Sequence, residues 1–198
     1  MNIFTVSGRT CDLNEEIKQL SHTSGEELVL ASSSFDTLWA PSLEIVREAG
    51  LRALGAKEIF CPNLQILHKN ALAASELRQF EAPKLKVVGE GALAWNTALE
   101  RVDLSEAPTT RIFDRGFEGC TGLTYLKLPE TLISIGAFAF CGCNMLLGLV
   151  LPRSIREIGS GAFHGTNGAL LLVHRGSYAA AWCETWSKDQ GFTFTYID

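Results

Sequence analysis

The sequence lacks the short motifs that mark common catalytic and nucleotide-binding sites. It contains no P-loop, no GxGxxG turn after a predicted strand and no GxSxG nucleophile motif. Three of its histidines, His22, His68 and His174, form no constellation with other ligand-type residues. The sequence therefore predicts a non-enzymatic protein without a cofactor.

The sequence also has a small net charge and no long apolar run. Its net charge is −5 and it has no basic run, which argues against nucleic acid and anionic membranes as partners. No apolar stretch approaches the roughly 18 residues of a membrane span, so no membrane insertion is predicted.

The N-terminal MNIFTVSGRT lacks a basic segment followed by an apolar one. No secretory signal is therefore visible, which favours the cytoplasm and leaves the cell surface open.

Proline is scarce, and its positions are periodic. The prolines recur at intervals of 21 to 25 residues, at Pro41, Pro62, Pro83, Pro108, Pro129 and Pro152. Proline cannot donate to a strand ladder and disfavours helix at the preceding residue, so each one marks where a strand ends and the chain turns. A period of roughly 22 residues indicates a short unit copied along the chain, which is the signature of a repeat solenoid.

Three columns of apolar residues support this period. The first is Val46, Leu67, Val88, Ile112, Ile135 and Ile158. The second, always five residues later, is Leu51, Leu72, Leu93, Phe117, Phe140 and Phe163. The third is Leu38, Ile59, Phe80, Val102, Leu126, Leu149 and Leu172. Each unit contributes a few apolar side chains that are buried only when the units stack.

The later units are the most regular. They read LTYLKLPETLISIGAFAFCGC from Leu123 and LLGLVLPRSIREIGSGAFHGT from Leu146. These units resemble BspA-like leucine-rich repeats, whose pattern is LxxφxLPxxφxxIGxxAFxxC. The resemblance covers residues 36–176 and is strongest from Ile112 onward, because the LP, IG and AF signals fade in the first units. It implies a leucine-rich-repeat fold and a binding module, and it implies no catalytic residues.

The predicted fold is an α/β repeat solenoid within a single domain of residues 1–198. We expect a right-handed, leucine-rich-repeat-like stack of six coils, each of 21–24 residues, over residues 36–176. Residues 1–35 break the period and form an N-terminal cap, and residues 177–198 form a C-terminal cap helix and strand. Caps are expected because a repeat stack exposes apolar surface at both ends.

The N-terminal cap is predicted to contain a helix between two strands. The strands are expected at residues 2–6 and 27–31. Asp12 is a suitable N-cap for the helix, with Glu15 three residues on. Apolar residues follow at helical spacing, at Leu13, Ile17 and Leu20.

The C-terminal cap has clearer signals. Ser177 is predicted to cap a helix that runs through Trp182 and Trp186, and Gly191 is predicted to end it. Residues 192–196 alternate between aromatic and polar side chains, which is typical of a strand. A helix and a closing strand are therefore expected at this end.

Three cysteines are predicted to be small buried fillers. Cys120 and Cys143 occupy the same repeat position, which Thr166 holds in the next unit, and Cys61 shares its position with alanine in sister units. Free cysteine behaves as a small hydrophobe, so we expect buried, unpaired thiols. Free thiols also agree with a reducing compartment.

Cys141 lies in a column that allows a different interpretation. The column reads Glu118, Cys141 and His164, and successive coils of a solenoid lie about 4.8 Å apart. Thiol, imidazole and carboxylate are metal ligands, and cysteine beside histidine can be an activated nucleophile. A metal- or thiol-dependent site at Cys141 and His164 is therefore a weaker alternative. The other interpretation is three unrelated surface residues.

The strands before the prolines should present one side to solvent, because side chains alternate along a strand. On that outer side Trp39 and Phe60 would be adjacent exposed aromatics, which are typical of interface hot spots. The alternative is that the N-terminal cap covers both rings. The candidate partner-binding residues are Trp39, Glu58, Phe60, Glu81, Arg101, Asp103, Tyr125 and Lys127.

The predicted function is non-catalytic protein–protein recognition on the strand side of the solenoid. An intracellular interaction scaffold and the repeat segment of a cell-surface adhesin both satisfy this description. The acidic residues Glu58, Glu81 and Asp103 would suit a basic or polar protein partner. The protein itself is expected to be a monomer or a weak homo-oligomer.

Overall fold

The computed structural model describes residues 4–7, 10–13, 19–20 and 36–198. Within these ranges the chain winds into a parallel β-solenoid of about seven turns. The predicted repeat solenoid is therefore confirmed, and the described helix is confined to the C-terminal cap. The predicted strand at residues 27–31 lies outside the described residues.

The described elements are seventeen short strands and one helix. They are β1 Phe4–Ser7, β2 Thr10–Leu13, β3 Gln19–Leu20, β4 Thr37–Trp39, β5 Ile45–Val46, β6 Glu58–Phe60, β7 Ile66–Leu67, β8 Gln79–Glu81, β9 Val87–Val88, β10 Arg101–Asp103, β11 Arg111–Ile112, β12 Tyr125–Lys127, β13 Ser134–Ile135, β14 Leu149–Leu151, β15 Glu157–Ile158, β16 Leu170–Val173, α1 Tyr178–Gln190 and β17 Thr193–Tyr196.

Two walls of parallel strands enclose the core. The first wall contains the strands of the proline units and consists of three hydrogen-bonded blocks, β1-β2-β4-β6, β8-β10-β12 and β14-β16-β17. The second wall is one continuous sheet of seven two-residue strands, which are β3, β5, β7, β9, β11, β13 and β15. The β1–β2 pair is antiparallel, and the other described pairs are parallel.

The N-terminal segment adds to both walls. Strand β2 pairs in parallel with β4, and β3 pairs in parallel with β5. This pairing supplies the turn beyond the six predicted coils. Asp12 lies inside β2, opposite Trp39, so the prediction that Asp12 caps a helix through Leu13 and Leu20 is wrong. The helical spacing was misleading because pairing with the next coil outweighs a weak local propensity.

The predicted columns form the core. All members of the first two columns are buried, and the rings of Phe117, Phe140 and Phe163 stack at centroid distances of 5.4 and 5.3 Å. One assignment in the third column is wrong, because Leu149 pairs with Leu171 and not with Leu172. Leu171 is fully buried, whereas Leu172 lies on the outer side of β16 and is only half-buried. A one-residue shift moves a strand residue to the opposite side.

The C-terminal helix closes the end of the aromatic column. The Ser177 hydroxyl accepts a hydrogen bond from the Ala180 N–H at 3.1 Å, and Gly191 ends the helix with a φ of 84°. Trp182 and Phe192 stack on each other at 5.6 Å and meet the ring of Phe163 edge-on. The predicted C-terminal helix and strand are confirmed, and they cover apolar surface that a further coil would otherwise cover.

Candidate protein-interaction face

The outer side of the first wall is a ridged surface that we call the strand face. It is defined by the outward residues of β4, β6, β8, β10, β12 and β14. In these strands the inward residues are buried and the outward residues are exposed or half-buried. All eight candidate residues point outward, on the five successive strands β4, β6, β8, β10 and β12.

Two aromatic rings stand at the N-terminal end of the strand face. Trp39 and Phe60 pair in register, and their rings stack at 3.9 Å with an interplanar angle of 9°. They remain 43% and 41% exposed. The described strand β2 lies beside β4 in the same sheet, and residues 1–3, 8–9, 14–18 and 21–35 of the predicted N-terminal cap lie outside the described residues. An exposed aromatic stack is costly to leave in water and gains from burial against a partner.

A groove of about 390 Å³ lies next to this stack. Glu58 and Glu81 contribute its carboxylates, and Gln79 Nε2 donates a hydrogen bond to Glu58 Oε1 at 2.9 Å. The full lining is Thr37, Trp39, Glu58, Ile59, Phe60, Cys61, Pro62, Gln79, Glu81 and Pro83. We call it the acidic groove, because its charged lining residues are both acids.

The acidic groove lies at a break in the strand ladder. Across β4 and β6 the Ala40 N–H donates to the Phe60 carbonyl at 2.8 Å, but β6 and β8 belong to different hydrogen-bonded blocks. At the break the Cys61 thiol lies 3.9 Å from the Glu81 carbonyl oxygen. Ile59 on the groove floor is 7% exposed, whereas Phe80 in the next coil is fully buried. The ladder is interrupted here, although the Arg78 N–H still donates to the Lys57 carbonyl at 2.8 Å directly before the two strands.

The other candidate residues form a self-paired cluster. The guanidinium carbon of Arg101 lies 3.7 Å from the ring centroid of Tyr125, and Arg101 also lies 3.6 Å from the Asp103 carboxylate. Partial burial raises the pKa of Asp103, but hydrogen bonds from Ser105 and the charges of Lys127 and Arg101 outweigh it and lower the pKa overall. These charges already satisfy one another within the chain.

A second groove, of about 440 Å³, lies at the next break, between β12 and β14. Tyr125 and Lys127 line it together with Leu147 and Val150, which are exposed. Leu147 and Gln79 are groove residues that sequence reasoning did not select. Gln79 could have been found from its position between Glu58 and Arg101 in the outer column. Leu147 precedes its strand, and no local signal identifies it.

The column of Glu118, Cys141 and His164 lies at a corner as predicted. The Gly119 N–H donates a hydrogen bond to the Cys141 carbonyl at 2.8 Å, and this bond joins the two adjacent coils. Burial raises the pKa of the Cys141 thiol, and the charge of Glu118 raises it further. The charge of Arg115 lowers this pKa, but by less. A thiol held protonated is a poor nucleophile and a poor ligand. Among the described residues, no group of three acids, cysteines or histidines could hold a metal ion. The geometry does not favour the metal- or thiol-dependent alternative.

The six cysteines are unpaired in the structure. Cys61, Cys120 and Cys143 are buried as predicted, and burial raises the pKa of Cys61 and Cys120 to about 12. Their thiols are therefore both inaccessible and protonated at neutral pH. Cys141 is the one cysteine that is not fully buried.

We expect a thiol reagent to count one fast-reacting group in the native protein. The half-buried Cys141 should react, and the five buried thiols should react only after denaturation, which should raise the total to six. A Cys141→Ser variant should abolish the fast reaction and leave the other five unchanged. Ellman titration with and without guanidinium measures both numbers. A denatured count of four or fewer without added reductant would indicate a disulfide and contradict the structure.

A known family of repeat proteins matches the repeats of this chain. Residues 52–170 match the family described as BspA type leucine rich repeat region, in six copies. The chain belongs to this family. Leucine-rich repeat proteins are generally non-enzymatic scaffolds. No curated protein sequence matches this BspA-type repeat protein. In the residues that the structure describes, no helix is long and apolar enough to cross a bilayer.

Three solved structures resemble this BspA-type repeat protein. A leucine-rich repeat protein from Bacteroides ovatus has a TM-score of 0.53 and 18% identity, and the alignment covers 94% of this chain and 59% of that one. The leucine-rich repeat protein of T. pallidum has a TM-score of 0.49 and 19% identity, covering 85% and 67%. The pneumococcal vaccine antigen PcpA has a TM-score of 0.43 and 13% identity, covering 87% and 80%. At these identities the Bacteroides structure shows the fold alone.

Proposed function

We propose that this protein is a recognition module that binds a protein partner on its strand face. The observation that carries the proposal is the exposed Trp39–Phe60 stack, which borders a groove with two carboxylates. Aromatic anchors that border a pocket are the usual centre of a binding interface, and a polar rim around them excludes water. The remaining candidate residues extend this surface along β10 and β12.

The architecture supports recognition by a preformed surface. Each strand of the strand face, from β4 to β14, has a buried inward residue in the core, so the outward side chains stand on a packed support. A preformed site avoids much of the ordering entropy that opposes association. The strand face is therefore suited to bind a partner with little rearrangement of its own.

We expect the double variant Trp39→Ala, Phe60→Ala to fold normally and to lose at least ~100-fold in partner affinity, as loss of two hot-spot aromatics does. The immobilised protein would first capture partners from extracts of the source cells, and each captured protein would then be purified and its affinity measured by calorimetry. Circular dichroism would check that the variant is folded.

A matched variant, Tyr178→Ala, Trp186→Ala, removes two exposed aromatics from helix α1. It should bind the purified partner as the unmodified protein does. If the helix variant loses binding and the strand-face variant keeps it, the binding surface lies at the C-terminal cap and the proposal is wrong. If the strand-face variant unfolds, its rings are part of the core, and the proposed surface does not exist.

A further inference from the structure

We infer that the acidic groove binds an arginine side chain of the protein partner. This inference rests on the proposed function and specifies its chemistry. Three independent features of the described residues lead to it: the free face of the Phe60 ring, the carboxylates of Glu58 and Glu81, which have no cationic partner among these residues, and an arginine bound by a ring and a carboxylate on the same strand face.

The Phe60 ring offers one of its two faces to the groove. Trp39, on β4, covers the other face at a centroid distance of 3.9 Å and nearly parallel to it. On the opposite side lies β8, which contributes Gln79 and Glu81 to the groove. The π face of an aromatic ring carries partial negative charge and attracts a cation placed above it. A planar cation that enters the groove would therefore stack on Phe60.

The groove has negative charge without a cation of its own. Its described lining contains two carboxylates, Glu58 and Glu81, and no lysine, arginine or histidine. Glu58 accepts a hydrogen bond from the neutral amide of Gln79, which holds the carboxylate in position without neutralising it. The nearby cations bind elsewhere. Lys57 pairs with Asp36 at 3.0 Å and Lys84 donates to Asn63 at 2.6 Å. Arg101, in register with Gln79 on the next strand, contacts Tyr125 and Asp103.

The same strand face contains a complete version of this arrangement. On β10 and β12, the Arg101 guanidinium lies over the Tyr125 ring at 3.7 Å and beside the Asp103 carboxylate at 3.6 Å. The acidic groove also has an aromatic ring and carboxylates, on β6 and β8, although its ring occupies the other outward column, and none of its lining residues has a guanidinium. The missing component is therefore a guanidinium supplied from outside the described chain.

Arginine fits this groove better than lysine. Its guanidinium is planar, so it can lie flat on Phe60 while its edge N–H groups reach the carboxylates of Glu58 and Glu81. A lysine ammonium is a compact, strongly hydrated charge that cannot make both contacts in this geometry. We therefore expect a preference for arginine, followed by lysine, with a neutral side chain of the same shape binding weakly.

The test uses three blocked pentapeptides, each with two glycines on either side of an arginine, a lysine or a citrulline. Citrulline has the shape of arginine without its charge. Binding would be followed by the NMR signals of the indole N–H groups of the four tryptophans, and Trp39→Phe would assign that of Trp39. The arginine peptide should shift the Trp39 signal in a saturable way and leave those of Trp95, Trp182 and Trp186 in place.

The dissociation constant should be at least ~10-fold weaker for citrulline than for arginine, as loss of a charge-assisted contact implies. Glu81→Gln should weaken arginine binding ~5-fold or more, and raising the salt concentration should weaken it too. The control Glu48→Gln removes an exposed carboxylate from outside the groove and should leave binding unchanged.

Equal binding of arginine and citrulline, no effect of Glu81→Gln, or no saturable shift at Trp39 would each overturn the inference. These outcomes differ from failure of the proposed function. If the arginine peptide does not bind but Trp39→Ala, Phe60→Ala still abolishes partner binding, the strand face is the interface and uses other chemistry. If the peptide binds but that double variant keeps its partner, the groove binds arginine but is not the partner interface, and the proposed function is wrong.

Discussion

Replacing Phe140 with alanine is expected to lower the free energy of unfolding by about 3–5 kcal/mol. Phe140 is fully buried and stacks between Phe117 and Phe163 at 5.4 and 5.3 Å. Alanine would lose the transfer free energy of the ring and leave a cavity at the centre of the column. The backbone of adjacent coils cannot collapse into that cavity, because hydrogen bonds such as Phe140 N–H to the Ala162 carbonyl hold the coils in place.

Chemical denaturation monitored by circular dichroism measures this loss. The matched variant is Phe113→Ala, because Phe113 is an exposed phenylalanine of the same repeat region. It should cost less than about 1 kcal/mol, as surface substitutions do. A loss below about 1 kcal/mol at Phe140 would mean that the aromatic column contributes little to stability. Equal losses at the two positions would mean that burial does not determine the effect.

Replacing Gly159 with alanine is expected to cost about 2–3 kcal/mol, as overpacking in a closely packed interior does. A Cβ atom at Gly159 would lie 2.7 Å from the carbonyl carbon of Gly136, 2.8 Å from the Ala137 Cα, and closer still to the Ala137 nitrogen. All three atoms belong to the backbone of the preceding coil, so no side-chain rotation can make room. The coils would have to separate, which strains the bond from the Gly159 N–H to the Ile135 carbonyl at 2.8 Å.

Gly148→Ala separates this clash from backbone strain. Gly148 has a φ of +70°, and a Cβ atom there would meet nothing within 4 Å. Its substitution should cost about 1–2 kcal/mol, which is the penalty of a left-handed conformation alone. The same denaturation experiment compares the two glycines. A Gly159 variant that is as stable as the unmodified protein would show that the glycine of the IG step is not required for close packing of the coils.

Most of the solenoid can be predicted from the sequence, because its period is recorded in several independent columns. Every member of the column from Val46 to Ile158 and of the column from Leu51 to Phe163 is buried. The errors lie at the ends, where the period stops. The predicted column is one residue out of register at Leu172, and Asp12, predicted as a helix cap, lies in β2. At the ends no neighbouring unit corrects a misleading local pattern.

The candidate site was predictable in part. Strand alternation alone places Trp39 and Phe60 on the outer side of their strands, and their register makes them neighbours. Nothing local in the sequence indicates that the ladder breaks after β6 and again after β12. The two grooves lie at these breaks. The structure also shows that Arg101 is paired with Tyr125 and Asp103, whereas Glu58 and Glu81 have no cationic partner among the described residues.

The sequence by itself determined the repeat length, the inward columns and the outward residues of each strand. These are properties of single coils, since turn residues and the two-residue alternation of a strand are set within one unit. Only the tertiary structure decided where the strand ladder is interrupted and which side chains of adjacent coils meet there. Those outcomes depend on hydrogen bonds and packing between residues more than 20 positions apart, such as Glu58 and Gln79, and no local pattern records them.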